Sequence, residues 1–264
     1  VAPSAAGIWA ATGPAPWLLP ALAGIAAVVV VFPFDADLSR AATRLAAQPW
    51  FSGDVRRELT AWQQYGQGTA LLVAALFIWL LDPPRRRRLL DLGLAAGLAQ
   101  LVSSVGKTLV GRPRPVFGDP RTILGPWGEY PVRGADGGWR LVHAWERSAA
   151  DLWSMPSSHT LFAVVLSVFL GTLYPRARPL VWALAAVVGV ARVLLGAHWP
   201  TDVLAGAAAG WLIGRAVVPR YAGVRLVDWV WVRAVDRRAV PAFPALAAAD
   251  RARARTSSAA PTHV

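Results

Sequence analysis

The sequence predicts an all-α protein built from six membrane-spanning helices. Two observations carry the prediction. Hydrophobic residues make up 55% of the 264 and charged residues only 16%, against about 25% charged in an ordinary soluble domain. The charges are also grouped, which leaves uncharged runs long enough to cross a bilayer, a distance of about 20 residues. The mean hydropathy of +0.42 agrees. Fourteen Trp and abundant Ala, Leu and Val exclude a disordered chain. The absence of Cys excludes a disulfide framework, a thiolate zinc site and a Cys nucleophile.

No charge occurs over residues 1–34, and span one is placed at 15–34. A secretory signal peptide is the alternative for this stretch, but it lacks a basic leading segment. Spans two to six follow at 59–81, 89–110, 157–174, 180–195 and 202–218. Arg85, Arg86, Arg87 and Arg88 lie between spans two and three, and Arg176 and Arg178 between spans four and five. Many more arginines, among them Arg215, Arg220, Arg225, Arg233, Arg237 and Arg238, follow into the tail. These three segments alternate correctly to share one side, which the positive-inside rule makes cytoplasmic. The 35–58 loop balances Arg40, Arg44, Arg56 and Arg57 with Asp35, Asp37, Asp54 and Glu58, and belongs outside with the 111–155 loop and the 196–201 turn. Both termini are then cytoplasmic, in a multi-pass protein of the cell membrane.

Residues 1–218 form the membrane domain and 219–264 a basic cytoplasmic tail. Within the tail, 224–238 mixes Trp229 and Trp231 with arginines, as in an interfacial helix on anionic lipid; a solvated basic tail is the alternative. Beyond Pro241 the Ala, Arg, Ser, Thr and Pro composition reads as disordered. Gly206, Gly210 and Gly214 on span six, and Gly93 with Gly97 on span three, read as small-residue stripes for close helix packing.

The chemistry lies in polar groups at the outer ends of spans three to six. Lys107 ends span three and is followed by Gly111-Arg112-Pro113-Arg114-Pro115, whose prolines stop the helix and extend the chain. Pro156-Ser157-Ser158-His159 opens span four, where a capping serine directs free N–H groups and the positive helix dipole outward, a geometry that binds phosphate. Arg192 and His198 close span five, and Pro200 and Asp202 open span six with Asp202 within reach of His198. Each group alone has an ordinary explanation: snorkelling cations, a plain helix cap, a His–Asp capping pair. Topology joins them, because all lie on the outer side in an orientation set by other residues. Fixed cations, a phosphate-ready helix start and two histidines suit phosphoryl transfer. No acidic cluster points to Mg²⁺, so fixed cations take the place of a metal, and no cofactor is expected.

In these residues the sequence resembles the type 2 phosphatidic acid phosphatase (PAP2) superfamily of integral membrane lipid phosphatases. The motif Lys-x6-Arg-Pro is matched by Lys107 and Arg114-Pro115. Pro-Ser-Gly-His is matched by Pro156-Ser157-Ser158-His159, with Ser158 where Gly is usual. Ser-Arg-x5-His-x3-Asp is matched by Ala191-Arg192, His198 and Asp202, with Ala191 where Ser is usual. The resemblance implies a six-helix core, a His198 nucleophile that forms a phosphohistidine, Asp202 orienting it, and His159 as general acid. It implies phosphate binding by Lys107, Arg114, Arg192, Ser157 and the backbone at Ser158. Arg112 falls outside the strict motif and is a secondary candidate.

An outward site at the membrane surface suggests a lipid phosphate or diphosphate, such as an undecaprenyl diphosphate or a glycerolipid phosphate. Trp127, Trp139, Trp145 and Trp153 in the long outer loop are positioned to cover the site or sit among headgroups. A lipid phosphotransferase carries the same motifs and is the alternative. A non-catalytic transporter would place its ionisable groups near the midplane. A nucleic-acid partner, suggested only by the net charge of +12, finds no binding motif.

Overall fold

The computed structural model describes residues 18–51, 53–133, 137–146 and 149–259. The start of predicted span one, at 15–17, and the signal-peptide alternative over the preceding residues lie outside this range. Among the described residues the secondary structure is helical apart from one hairpin, and six apolar helices overlap the predicted spans. Helix α1 (Leu18–Val31) is wholly apolar and runs through a 3₁₀ turn at Phe32–Phe34 into α2 (Asp35–Ala46), where Asp35 and Asp37 favour the helix N-terminus. Helices α3 (Gly53–Trp62) and α4 (Gly68–Leu81) flank the 3₁₀ segment Gln63–Gly66. Span two is therefore broken, with a bend of 63°.

Helix α5 (Leu89–Val110) ends at Gly111, whose φ of 56° closes the helix in a left-handed cap. Helix α6 (Ser158–Leu173) is the axis of the bundle, with most of its residues buried against α5, α7 (Arg178–Leu194) and α8 (Pro200–Val217). By length and apolar composition, Leu18–Ala46, Pro83–Val110 and Pro175–Leu194 each suffice to cross a membrane unaided, while α6, at 16 residues, is shorter.

The glycine stripe on α8 sets this packing. A Cβ at Gly206 would lie 2.5 Å from the Ser157 carbonyl oxygen, and one at Gly210 2.5 Å from that of Leu161. The expected stripe on α5 is corrected: a Cβ at Gly93 or Gly97 meets nothing within 4 Å. Those glycines face open space, because α5 turns Leu92, Ala95 and Ala99 to the core instead.

At one end of the bundle the three arginine-rich segments touch. Arg88 is buried, donates to the Val218 carbonyl at 2.7 Å and lies 3.6 Å over the Tyr221 ring. Arg85 lies 4.7 Å over the Tyr174 ring, and the Tyr174 hydroxyl donates to Asp82. The tail departs from its predicted disorder. Helix α9 (Ala222–Ala234) is followed by α10 (Phe243–Ala259). Alanine is the strongest helix former, and α10 docks through the Tyr221–Phe243 ring contact, a Tyr221–Asp250 hydrogen bond and buried Ala247.

At the other end the 111–155 loop folds over the helix termini. Strands β1 (Glu129–Arg133) and β2 (Trp139–His143) pair antiparallel, with Val132 and Val142 joining Ala144, Ala149 and Leu152 in a small core. The extended 112–114 segment runs beside 151–154: the Ser154 amide donates to the Arg112 carbonyl at 3.2 Å and that of Arg114 to Asp151 at 2.9 Å.

Candidate active site

The site forms where α5 and α7 end and α6 and α8 begin. Lys107, on the last turn of α5, donates to the Ser158 hydroxyl at 3.2 Å. The serine that replaces the usual glycine thus meets the lysine expected to bind phosphate. Helix α6 starts at Ser158, and its first amides have no intrahelical acceptor. Ser157 occupies the cap position, yet its hydroxyl makes no capping bond; it accepts from Thr160 at 3.1 Å, while its amide donates to the Asp202 carbonyl. The capping bond expected from a serine here is therefore not made. Ala191 is fully buried.

His198 stands in the turn between α7 and α8 and is 2% exposed. Its Nδ1 lies 2.7 Å from the Ser154 carbonyl oxygen. A carbonyl only accepts, so Nδ1 carries the proton and Nε2 keeps its lone pair. Asp202 Oδ2 is 3.7 Å from the same nitrogen, beyond hydrogen-bond distance. That oxygen accepts instead from the Ser154 hydroxyl and from the Trp199 amide at 2.9 Å. The expected direct reach of Asp202 to His198 is thus replaced by a charge contact, with the Ser154 carbonyl holding the ring. Burial lowers the imidazole to about 4; Asp202 opposes this, and Arg192 and Arg114 add to it.

The broken span two supplies two groups that motif reasoning missed. Gln63 accepts from Arg192 Nη1 at 2.6 Å, and Gln67 Nε2 lies 3.2 Å from His159 Nε2. Arg192 is 8% exposed, and its Nε is buried without a protein partner. The bend comes this close because Gly66 has no side chain: a Cβ there would lie 2.2 Å from the His159 carbonyl oxygen. Gln67 between two glycines, inside an otherwise uncharged run, was the available signal. Arg114 donates through Nε to the Ala150 carbonyl at 3.2 Å, and burial lowers its pKa.

A cavity of about 480 Å³ opens beside these groups, between α4, α5 and α6. Lys107, Ser158, His159 and Gln67 line it with Trp145 and Trp153. Two of the four candidate covering tryptophans therefore border the site, while Trp127 and Trp139 are exposed elsewhere. A separate groove of about 890 Å³, bordered by Arg40, Arg44 and Arg121, lies against Trp199 and contains none of the predicted site residues.

Buried Arg112, the secondary candidate, stands directly behind the site. Its Nη1 donates to Asp202 Oδ1 at 2.7 Å and its Nη2 to Asp35 Oδ2 at 2.6 Å. By sequence Asp35 is only one charge in a balanced loop.

Fold and site together define a helical membrane protein with a pocket at one end of its bundle, lined by His159 and Lys107 and flanked by the buried His198 and Arg192. The PAP2 superfamily model matches residues 88–224, more than half of the chain, and the protein belongs to that superfamily. Two solved structures share the fold. The transmembrane PAP2 type phosphatidylglycerolphosphate phosphatase from Bacillus subtilis is 24% identical, with a TM-score of 0.52 over 77% of this chain and 94% of its own. LpxE from Aquifex aeolicus is 20% identical, with a TM-score of 0.50 over 69% of this chain and 93% of its own.

Proposed function

We propose that this chain hydrolyses a lipid phosphate or diphosphate through a phosphohistidine at His198. The observation that carries the reading is the His198–Ser154 hydrogen bond, which leaves a neutral Nε2 lone pair on a buried ring that Arg192 and Arg114 face. In the first step Nε2 attacks the terminal phosphorus while its bond to the leaving oxygen breaks, that of the lipid hydroxyl in a monophosphate or of the inner phosphate in a diphosphate, and His159 gives that oxygen a proton. In the second, water attacks phosphorus and returns a proton to His159. The P–N bond breaks, and its electron pair goes back to Nε2. Lys107, Arg114, Arg192 and the first amides of α6 hold the phosphoryl oxygens. The unpartnered Arg192 Nε supports this role. Fixed cations do the work of a metal ion.

The cavity favours a lipid. Gln100, Ser103 and Ser104 line it below Lys107, so a polar passage descends α5 by about 10 Å at 1.5 Å per residue. A lipid whose phosphate sits at Lys107 can lie along that passage with its chains in the bilayer. We place the pocket on the periplasmic or exterior face of the cell membrane, both termini inside, and the Trp-containing tail helix on anionic lipid. The three touching arginine segments support this sidedness.

The test is phosphate release by detergent-purified protein in EDTA. Undecaprenyl diphosphate, phosphatidic acid and phosphatidylglycerol phosphate are offered in parallel, with His198→Ala as control. Release that the control loses supports the reading, and near-normal release by the control removes it. Phosphate moved to an added lipid acceptor, rather than to water, identifies the phosphotransferase.

A further inference from the structure

We propose that Asp35, at the outer end of span one, is a positioning residue that supplies the buried negative charge balancing His198 during catalysis. The proposal rests on the reading of His198 as nucleophile and adds a residue outside the region matched by the family model.

Asp35, Arg112 and Asp202 are each 0% exposed and His198 is 2% exposed. Arg112 donates to both carboxylates, at 2.6 Å to Asp35 and 2.7 Å to Asp202. Its remaining contacts fix it in place: Nε and Nη2 reach the Pro120 carbonyl, Nη1 reaches Thr201, and the guanidinium lies near the Phe32 and Trp199 rings. Asp35 also accepts from the Thr201 amide at 3.0 Å and from the Thr201 hydroxyl, so it ties span one to the first turn of α8.

Charge arithmetic assigns the role. Asp202 and Arg112 alone sum to zero beside a neutral His198. When Nε2 bonds to phosphorus while Nδ1 keeps its proton, the ring becomes a cation, and that pair would leave it uncompensated in a buried site. Asp35 brings the resting sum to −1, so the ring's new charge takes the cluster to zero. The other charges facing His198 are Arg192, Arg114 and, when protonated, His159, which Lys107 also faces. These lie on the phosphate side and are answered by the substrate's own negative charge. On the opposite side Asp202 faces the imidazolium, and Asp35 answers the charge of the Arg112 that Asp202 shares.

The experiment uses purified full-length Asp35→Asn and Asp35→Glu, with phosphatidic acid and undecaprenyl diphosphate as probes. Asparagine keeps an acceptor for the Thr201 amide and removes the charge. The expected result for Asp35→Asn is kcat lower by about ten- to a hundredfold, with KM changed by less than about threefold. The acid limb of kcat/KM moves to lower pH, because the imidazole loses a nearby negative charge. Asp35→Glu recovers part of kcat. A kcat for Asp35→Asn within about threefold of the parent overturns the proposal. So does a fall in kcat with the acid limb unmoved and no recovery by glutamate, which marks a purely structural role. Failure of the parent itself to hydrolyse these two lipids and phosphatidylglycerol phosphate overturns the reading of the site, and the proposal with it.

Discussion

His198 Nδ1 donates to the Ser154 carbonyl at 2.7 Å, across 44 residues of sequence. This one bond fixes the tautomer of the proposed nucleophile and joins the 111–155 loop to the turn between α7 and α8. The acceptor is a backbone carbonyl, while the Ser154 hydroxyl donates to Asp202, which acts on the ring through charge.

A pH profile checks the state of that ring. Burial holds His198 at about 4, below its ordinary 6.5, so it is neutral at pH 7 and stays so down to about pH 5. Protonation consumes the lone pair, so kcat/KM is expected to fall about tenfold per pH unit only below about pH 4. An acid limb centred near 6.5 would contradict the buried environment.

Asp202→Asn retains an acceptor for the Trp199 amide but removes the charge beside His198 and weakens the bond to Arg112. A loss of about 10²–10⁴ in kcat is expected, smaller than the loss in His198→Ala. Steady-state kinetics of the two purified variants checks the ranking.

Gln67→Leu removes the amide that contacts His159. General acid catalysis contributes about 10²–10⁴, and losing the side chain that positions His159, the proposed acid, is expected to cost about tenfold of it. A substrate with an activated leaving group, such as p-nitrophenyl phosphate, needs little protonation and should show a smaller loss. Equal losses on both substrates would rule out a role through His159.

Two glycine substitutions test the packing in opposite directions. Gly210→Ala places a Cβ 2.5 Å from a backbone oxygen of α6, and is expected to destabilise by about 1–3 kcal/mol. Gly93→Ala meets nothing within 4 Å, and gains up to about 1 kcal/mol in helix propensity. Thermal melting in detergent distinguishes a lowered from an unchanged or raised Tm.

The sequence by itself determined the class of the fold, because uncharged runs of bilayer length and the alternation of arginine-rich segments are local properties of the chain. It also determined that Lys107, Arg114, Ser157, Ser158, His159, Arg192, His198 and Asp202 share one end of the bundle, since each sits at a span terminus and successive spans reverse direction. The tertiary structure decided what each of them touches. Gln63 and Asp35 meet their partners across 129 and 77 residues, and no spacing rule reaches that far. Ser154 acts through its backbone carbonyl, which every residue possesses. The bend at Gln63–Gly66 and the course of the outer loop arise from packing against α6, α7 and α8. The environment that keeps His198 neutral is therefore a property of the assembled bundle, because burial and buried charge exist only once the segments have met.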